Sequence, residues 1–186
     1  GFDTSLIKVS PRTFIVEDKH IAEDAKKLSV KLGTTSSGIA PAYSEKAARS
    51  GRRASQEPLL APFVQDVKLF GKILCEGAQG FWLDLDWGNY PYVTSSTTLP
   101  YGACSLGFSP HKIRNIWGVA KIYDTRSGVD PIVPHSLNED LLLSKVQSVG
   151  AKYGTTTGRK RKVNWLNVSK LIEAVNISGT THLVIN

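Results

Sequence analysis

The densest run of ligand-capable side chains is Gly154-Thr155-Thr156-Thr157-Gly158-Arg159-Lys160-Arg161-Lys162. Three hydroxyls between glycines can donate to an anion with little steric hindrance, and four consecutive cations follow. An arginine fork matches the geometry of a carboxylate or phosphate. The run therefore reads as a carboxylate or phosphate clamp, or as a solvated basic loop that could hold nucleic acid. A second candidate is Gly33-Thr34-Thr35-Ser36-Ser37-Gly38, with Arg49 on the helix that follows. Backbone N–H groups and a helix start can cradle a phosphate there; a plain surface turn is the simpler reading. The segment does not have the Walker spacing. The third is Glu76-Gly77-Ala78-Gln79-Gly80, which follows an apolar run. Open α/β sheets bind ligands at the carboxyl ends of strands. Gln79 carries a donor and an acceptor, suiting a purine or amide edge, or it simply faces solvent in a Gly-rich turn.

Asp84 and Asp86 lie two apart, with Asp124 and Asp130 elsewhere. An acid/base pair or metal site is conceivable, but hydrogen bonding within a polar loop is the better expectation. His20, His111, His135 and His182 have no metal-ligand spacing, and Cys75 and Cys104 are far apart, so no zinc site is expected. Two thiols make no disulfide framework and fit a cytosolic, cytoplasmic protein. Asn167-Val168-Ser169 and Asn176-Ile177-Ser178 match the glycosylation pattern by chance, since both fall in an expected helix.

The elements that must position these groups are mostly legible from periodicity. Leu6–Val9 and Thr13–Val16 read as strands or extended segments. Asp18 caps a helix from Lys19 to about Lys31, stopped by Gly33. Pro41 suits the first turn of a helix through Arg49. Residues 51–55 read as a mobile basic linker, and 58–70 as helical. Lys72–Glu76 reads as a buried strand. Residues 81–109 are irregular but rich in aromatics, and such a long loop in a folded domain is commonly functional. Ile116–Tyr123 reads as a strand. Ser136-Leu137-Asn138-Glu139 is a capping box for a helix to about Val149. Asn164–Ile177 is amphipathic, and Thr181 onward is a final strand. Alternating strands and helices imply an α/β layered, mostly parallel sheet with flanking helices.

Composition sets the outer limits. The chain has 186 residues, a net charge of +7 and 41% apolar residues. These values exclude collagen-like, low-complexity and wholly disordered classes. No apolar run is long enough for a membrane helix. The positive charge allows anionic partners without choosing one. There is no Met, and the expectation is a chain cut at both ends: a central section, 1–186, of one larger domain.

Together the motifs resemble adenylosuccinate synthetase. Gly33–Gly38 with Ile39-Ala40-Pro41-Ala42-Tyr43 and Lys46–Arg49 is similar to that family's hydroxyl loop and helix. Glu76–Gly80 resembles its central glutamine turn, and Leu83-Asp84-Leu85-Asp86-Trp87-Gly88-Asn89-Tyr90-Pro91-Tyr92-Val93-Thr94-Ser95-Ser96 its next segment. Thr156-Thr157-Gly158-Arg159, then Lys160–Lys162 and Trp165-Leu166, resembles its aspartate loop. The resemblance implies a fold related to P-loop NTPases and a Mg²⁺-dependent ligase. That enzyme joins L-aspartate to IMP at the expense of GTP: the 6-oxygen is phosphorylated and the amine then displaces phosphate. It implies IMP contacts at Thr35, Arg49, Gln79, Thr94 and Arg159, with Arg49 reaching the neighbouring subunit of a homodimer. It implies aspartate contacts at Thr155, Thr156, Thr157 and Arg159, and a GTP contact at Arg161.

The departures from the family pattern also carry expectations. The family's P-loop and catalytic Asp and His should lie before Gly1, its guanine-reading segment after Asn186, and the Mg²⁺ ligands outside this chain. This chain alone should then be inactive and poorly soluble. Ser36, Ser37, Ala40, Asn164 and Asn167 replace usual family residues. The short Arg49–Glu76 interval resembles compact archaeal forms and the phage relatives that act on dGMP, so a 2-aminoadenylosuccinate synthetase is the alternative of the same class. A non-catalytic basic nucleic-acid-binding module using Arg52, Arg53 and Arg159–Lys162 is the alternative of another class. Its binding would weaken steeply with salt, and no recognised nucleic-acid motif supports it.

Overall fold

The last two described helices start at Asp140 and Asn167, short polar residues whose side chains accept from the first free N–H donors. The computed structural model describes residues 3–129, 140–150, 158 and 161–186. Contacts group the chain into two units, Gly1–Val30 with Ser36–Cys75, and Lys31–Thr35 with Glu76–Asn186.

In the first unit α1 (Asp18–Glu23) begins one residue earlier than expected. Glu17 is its N-cap, and its backbone N–H donates to His20 Nδ1 at 2.9 Å. A π-helical turn, Asp24–Leu28, separates α1 from α2 (Ser29–Leu32). Gly33 then turns the chain at φ +66°. α3 (Ile39–Ala48) starts after Gly38 and buries Pro41 and Ala42. Gly38 has φ +73°, and a Cβ there would lie 2.8 Å from the Ile21 nitrogen. Only glycine fits both constraints. The helix ends with Arg49 itself in the left-handed region, φ +64°, a position more often held by glycine.

The two early extended segments do not form ladders. The first gives a 3-10 turn, Thr4–Leu6, and one parallel bridge, Val9 to Val64; the second gives one antiparallel bridge, Phe14 to Arg53. Residues 51–55 are packed rather than a loose linker. Ala54 is fully buried, its N–H bonds to Thr13 O at 2.7 Å, and Arg52 pairs with Glu57 and Glu17. The helix expected over 58–70 shrinks to the 3-10 turn Pro58–Leu60, since Gly71 and the β-prone Val67-Lys68-Leu69-Phe70 favour extended chain. Lys72–Glu76 is exposed, has no regular secondary structure and pairs with no strand among the described residues. The buried strand expected there needs sheet neighbours on both edges, which the described ladders do not supply.

The second unit holds the sheets. β1 (Trp117–Ala120) pairs in parallel with β4 (His182–Ile185), Trp117 opposite His182. β2 (Tyr123–Arg126) pairs antiparallel with β3 (Lys162–Trp165), Tyr123 opposite Trp165. The single strand expected over Ile116–Tyr123 is therefore two strands, and Asn164 lies in β3 rather than in a helix. α4 (Leu141–Val149) is capped by Asp140, which accepts from the N–H groups of Leu142 and Leu143 at 2.9 and 3.0 Å. The capping box at 136–139 lies outside the described residues. α5 (Val168–Ser178) starts at Asn167, whose Oδ1 accepts from the Lys170 N–H at 3.0 Å. Leu99, Leu143 and Val163 are buried among the apolar residues of this unit. The α/β class is as expected, with one parallel and one antiparallel pair among the described strands. No described helix is long and apolar enough to cross a membrane.

Candidate nucleotide and amino-acid binding site

The glutamine turn and the segment after it are built as one hydrogen-bonded assembly. Gln79 is exposed in the left-handed region, φ +63°, so the turn presents its side chain to solvent. The next turn, Phe81–Leu83, is 3-10, closed by the Leu83 N–H donating to Gly80 O at 2.9 Å. Leu83 O in turn accepts from the Thr94 N–H at 2.8 Å. Leu83 thus links the glutamine turn to Thr94 through its own N–H and C=O. Trp82 stacks edge-on against Phe81, centroids 5.0 Å apart, and Lys170 of α5 lies 5.0 Å over its ring.

Asp84 closes the loop. It is fully buried. Its Oδ1 accepts from the N–H groups of Asp86 at 3.0 Å and Trp87 at 3.2 Å. Its Oδ2 accepts from the Thr97 hydroxyl at 3.1 Å, the Thr98 N–H at 2.6 Å and the Thr98 hydroxyl at 3.4 Å. Burial alone would raise this carboxyl's pKa. The N–H groups of Thr98, Asp86 and Trp87 and the Thr97 hydroxyl outweigh burial and hold it below the ordinary range. Asp86, by contrast, is exposed. The hydrogen-bonding expectation for this pair holds at Asp84, and no acid/base couple forms between them. Further along, the Arg126 guanidinium on β2 donates to Tyr92 O. Neither this strap nor the Leu83 link follows from sequence spacing. The Asx turn at Asp84 does, because an Asp two residues before a free N–H forms one readily.

The hydroxyl loop is anchored from one side. Asp24, in the π turn and 3% exposed, accepts from the Gly38 N–H at 2.9 Å. That donor is therefore used internally. Thr35 is exposed and falls in the second unit, Arg49 is exposed and falls in the first. Arg161 is half-buried at the start of β3; its carbonyl accepts from Gln147 Nε2 at 2.6 Å. Its Nε is buried with no partner among the described residues. Thr155, Thr156, Thr157 and Arg159 lie outside the described residues. The apolar groove of about 250 Å³ between Leu99, Tyr101, Ile113 and Ile177 includes none of the expected contacts.

Glu17, His20 and Glu45 bring their ligand atoms within 4.8 Å of one another, but they do not fit a metal. His20 Nδ1 already accepts from a backbone N–H, so in the neutral ring Nε2 carries the proton. That nitrogen faces Glu45 Oε2 at 3.0 Å. Lys19 Nζ lies 3.2 Å from Glu17 and 2.8 Å from Glu45, supplying the countercharge. Mg²⁺ in particular prefers an all-oxygen octahedron.

Comparison with known proteins gives the assembly its context. A family model described as adenylosuccinate synthetase matches residues 59–186. The chain belongs to the adenylosuccinate synthetase family. The adenylosuccinate synthetase of Yarrowia lipolytica is 38% identical over 234 residues, covering 94% of this chain and 54% of that protein. The Brevibacillus brevis enzyme is 33% identical, covering 100% of this chain and 56% of its own. Both alignments exceed the length of the chain, so these relatives carry segments without a counterpart here. The fully ligated adenylosuccinate synthetase of Plasmodium falciparum superposes with a TM-score of 0.82 at 27% identity, over 96% of this chain and 54% of that one. A cyanophage S-2L succinoaminodeoxyadenylate synthetase, bound to dGMP and dATP, has a TM-score of 0.72 at 20% identity, which shows the shared fold. The chain thus spans about half the length of these relatives.

Proposed function

We propose that this chain is the substrate-binding section of a GTP-dependent adenylosuccinate synthetase, a ligase of purine nucleotide synthesis that joins L-aspartate to IMP. The observation that carries the reading is the family match over 59–186, which contains Gln79, Thr94 and Arg161 in an ordered setting. Gln79 and Thr94 contact the purine monophosphate, tied together through Leu83. Thr35 and Arg49 contact its phosphate, with Arg49 provided to the neighbouring subunit of a homodimer in the cytoplasm. Thr155, Thr156, Thr157 and Arg159 hold the aspartate carboxylates, with Arg159 also near IMP. Arg161, whose buried Nε has no partner among the described residues, offers a donor to the GTP phosphates.

In that reaction phosphoryl transfer requires positioning and charge neutralisation more than covalent help. This chain contributes hydroxyls, an amide and guanidinium groups that orient the purine and the amino acid. GTP and Mg²⁺ supply the phosphoryl group and its charge screening. The test is titration calorimetry of this chain with IMP, dGMP and L-aspartate. IMP binding that weakens at least tenfold in Gln79→Ala and Thr94→Ala supports the reading. Preference for dGMP assigns the chain to the phage-type activity, and absence of binding to both nucleotides overturns the proposal.

A further inference from the structure

Thr94 and its neighbours Ser95 and Ser96 sit in a segment with no regular secondary structure. A threonine in such a segment is held only as well as its loop is closed. Two ties close this one. The Thr94 N–H bonds to Leu83 O, and the Leu85 N–H bonds to Ser96 O at 3.4 Å. Both ties flank a single residue, Asp84, whose carboxylate gathers donors from both arms of the loop. Oδ1 takes the N–H groups of the outgoing arm, Asp86 and Trp87. Oδ2 takes the N–H and hydroxyl of Thr98 and the hydroxyl of Thr97 on the returning arm. Thr97 is locked in turn, its oxygen accepting from the Leu99 N–H at 3.1 Å. Leu99 is 8% exposed, so the returning arm is pinned to apolar packing beyond the clamp. The Asp84 carbonyl adds one more tie, accepting the Gly88 N–H at 2.9 Å.

We infer that Asp84 is a positioning residue for the purine monophosphate: its carboxylate fixes the arc 85–98 so that Thr94 faces the ligand in a set orientation. The inference rests on the binding role proposed above for Thr94. An ionised carboxylate suits this task because it only accepts. It can serve N–H and O–H donors from both arms at once without presenting a donor of its own. An amide of the same shape cannot, since its NH₂ would meet the Thr98 N–H at close range. A hydrogen bond to a charged acceptor is also the stronger kind, which suits a loop that contacts an anionic ligand without a helix or strand to hold it.

The test measures amide hydrogen exchange across 85–98 and IMP affinity by calorimetry, in the wild-type chain and in Asp84→Asn, Thr97→Val and Thr97→Ser. Asp84→Asn is expected to speed exchange at Thr94, Ser95 and Ser96 at least tenfold and to weaken IMP binding at least tenfold. Exchange of 9–64 in the first unit should stay unchanged, which separates positioning from general unfolding. Thr97→Val should show a smaller version of both effects, and Thr97→Ser, which keeps the hydroxyl, should show neither. Unchanged exchange in Asp84→Asn overturns the inference, and so does faster exchange with unchanged IMP affinity. In both cases the nucleotide reading survives, because wild-type binding is measured separately. A wild-type chain that binds neither IMP nor dGMP overturns the nucleotide reading and this inference with it.

Discussion

His20 on α1 and Glu45 on α3 face each other with Nε2 and Oε2 3.0 Å apart, and the imidazole is 2% exposed. The same ring accepts the Glu17 N–H on its other nitrogen, so one side chain both starts α1 and joins it to α3. Its removal leaves a buried cavity and strands a backbone donor. His20→Ala is expected to destabilise the chain by about 2–4 kcal/mol, from lost packing and an unsatisfied N–H, measured by urea denaturation. Excess Zn²⁺ should leave the melting temperature of the wild-type chain unchanged. A rise of several degrees that disappears in His20→Ala would mean the cluster takes a metal after all.

The hydroxyl loop depends on Gly38. Its φ of +73° disfavours any side chain, and a Cβ would press on the backbone of His20 and Ile21 at 2.9 and 2.8 Å. Backbone atoms in a helix cannot step aside as a flexible side chain can. Gly38→Ala should therefore cost about 2–4 kcal/mol, the sum of left-handed strain and overpacking. Gly71→Ala is the control for strain alone: φ is +76° there and the space around it is open. It should cost about 1 kcal/mol. Equal losses at the two positions in urea denaturation would show that the contact with α1 contributes nothing.

How much of this was legible in the sequence follows from the range of the forces involved. Helices α3 and α5 were readable because their periodicity and their end residues are local; Gly33 ends the first helical run as its position suggests. Lys72–Glu76 shows the limit. Its β-branched and apolar residues describe a strand, but a strand exists only against a neighbour, and propensity carries no information about which neighbour is present. The break after Ala120 is a similar case, because β1 and β2 take different partners, β4 and β3, from far along the chain. In the site, the residue types and the hydrogen-bonding role of the polar loop around Asp84 were visible. The Leu83 link, the Arg126 strap to Tyr92 and the Asp24 tie to Gly38 were not, because each joins residues 11 or more apart through backbone atoms that every sequence possesses.

The exposed apolar segment around Lys72–Glu76 has a consequence for handling. Phe70 is 88% and Leu74 91% exposed, beside Val67, Leu69 and Ile73. An exposed apolar stretch that joins no ladder among the described residues is a template for pairing with a second chain. The 186-residue chain is expected to self-associate at micromolar concentration, as read by analytical ultracentrifugation. Phe70→Lys with Leu74→Lys should shift the distribution strongly toward monomer with no loss of melting temperature, since neither side chain packs in the folded chain. A wild-type chain that stays monomeric over that concentration range would refute this.

Asp84 makes a prediction in pH. Its pKa is depressed in the folded chain, because N–H and hydroxyl donors outweigh the opposing effect of burial. A depressed carboxyl contributes stability that is fully present above the unfolded pKa of about 3.9. That contribution fades as pH falls through the lower, folded-state value. Near neutral pH the loop should therefore be insensitive to pH through this group, and stability should decline only below about pH 4. Asp84→Asn replaces one acceptor oxygen with an NH₂ donor and leaves buried donors unmatched, with an expected cost of about 1–3 kcal/mol at neutral pH. Because the amide does not titrate, the gap between wild type and variant should narrow as pH drops below 4. Denaturation curves at several pH values read the gap directly. A gap that stays constant down to pH 2 would mean the carboxylate is not what the loop is folded around.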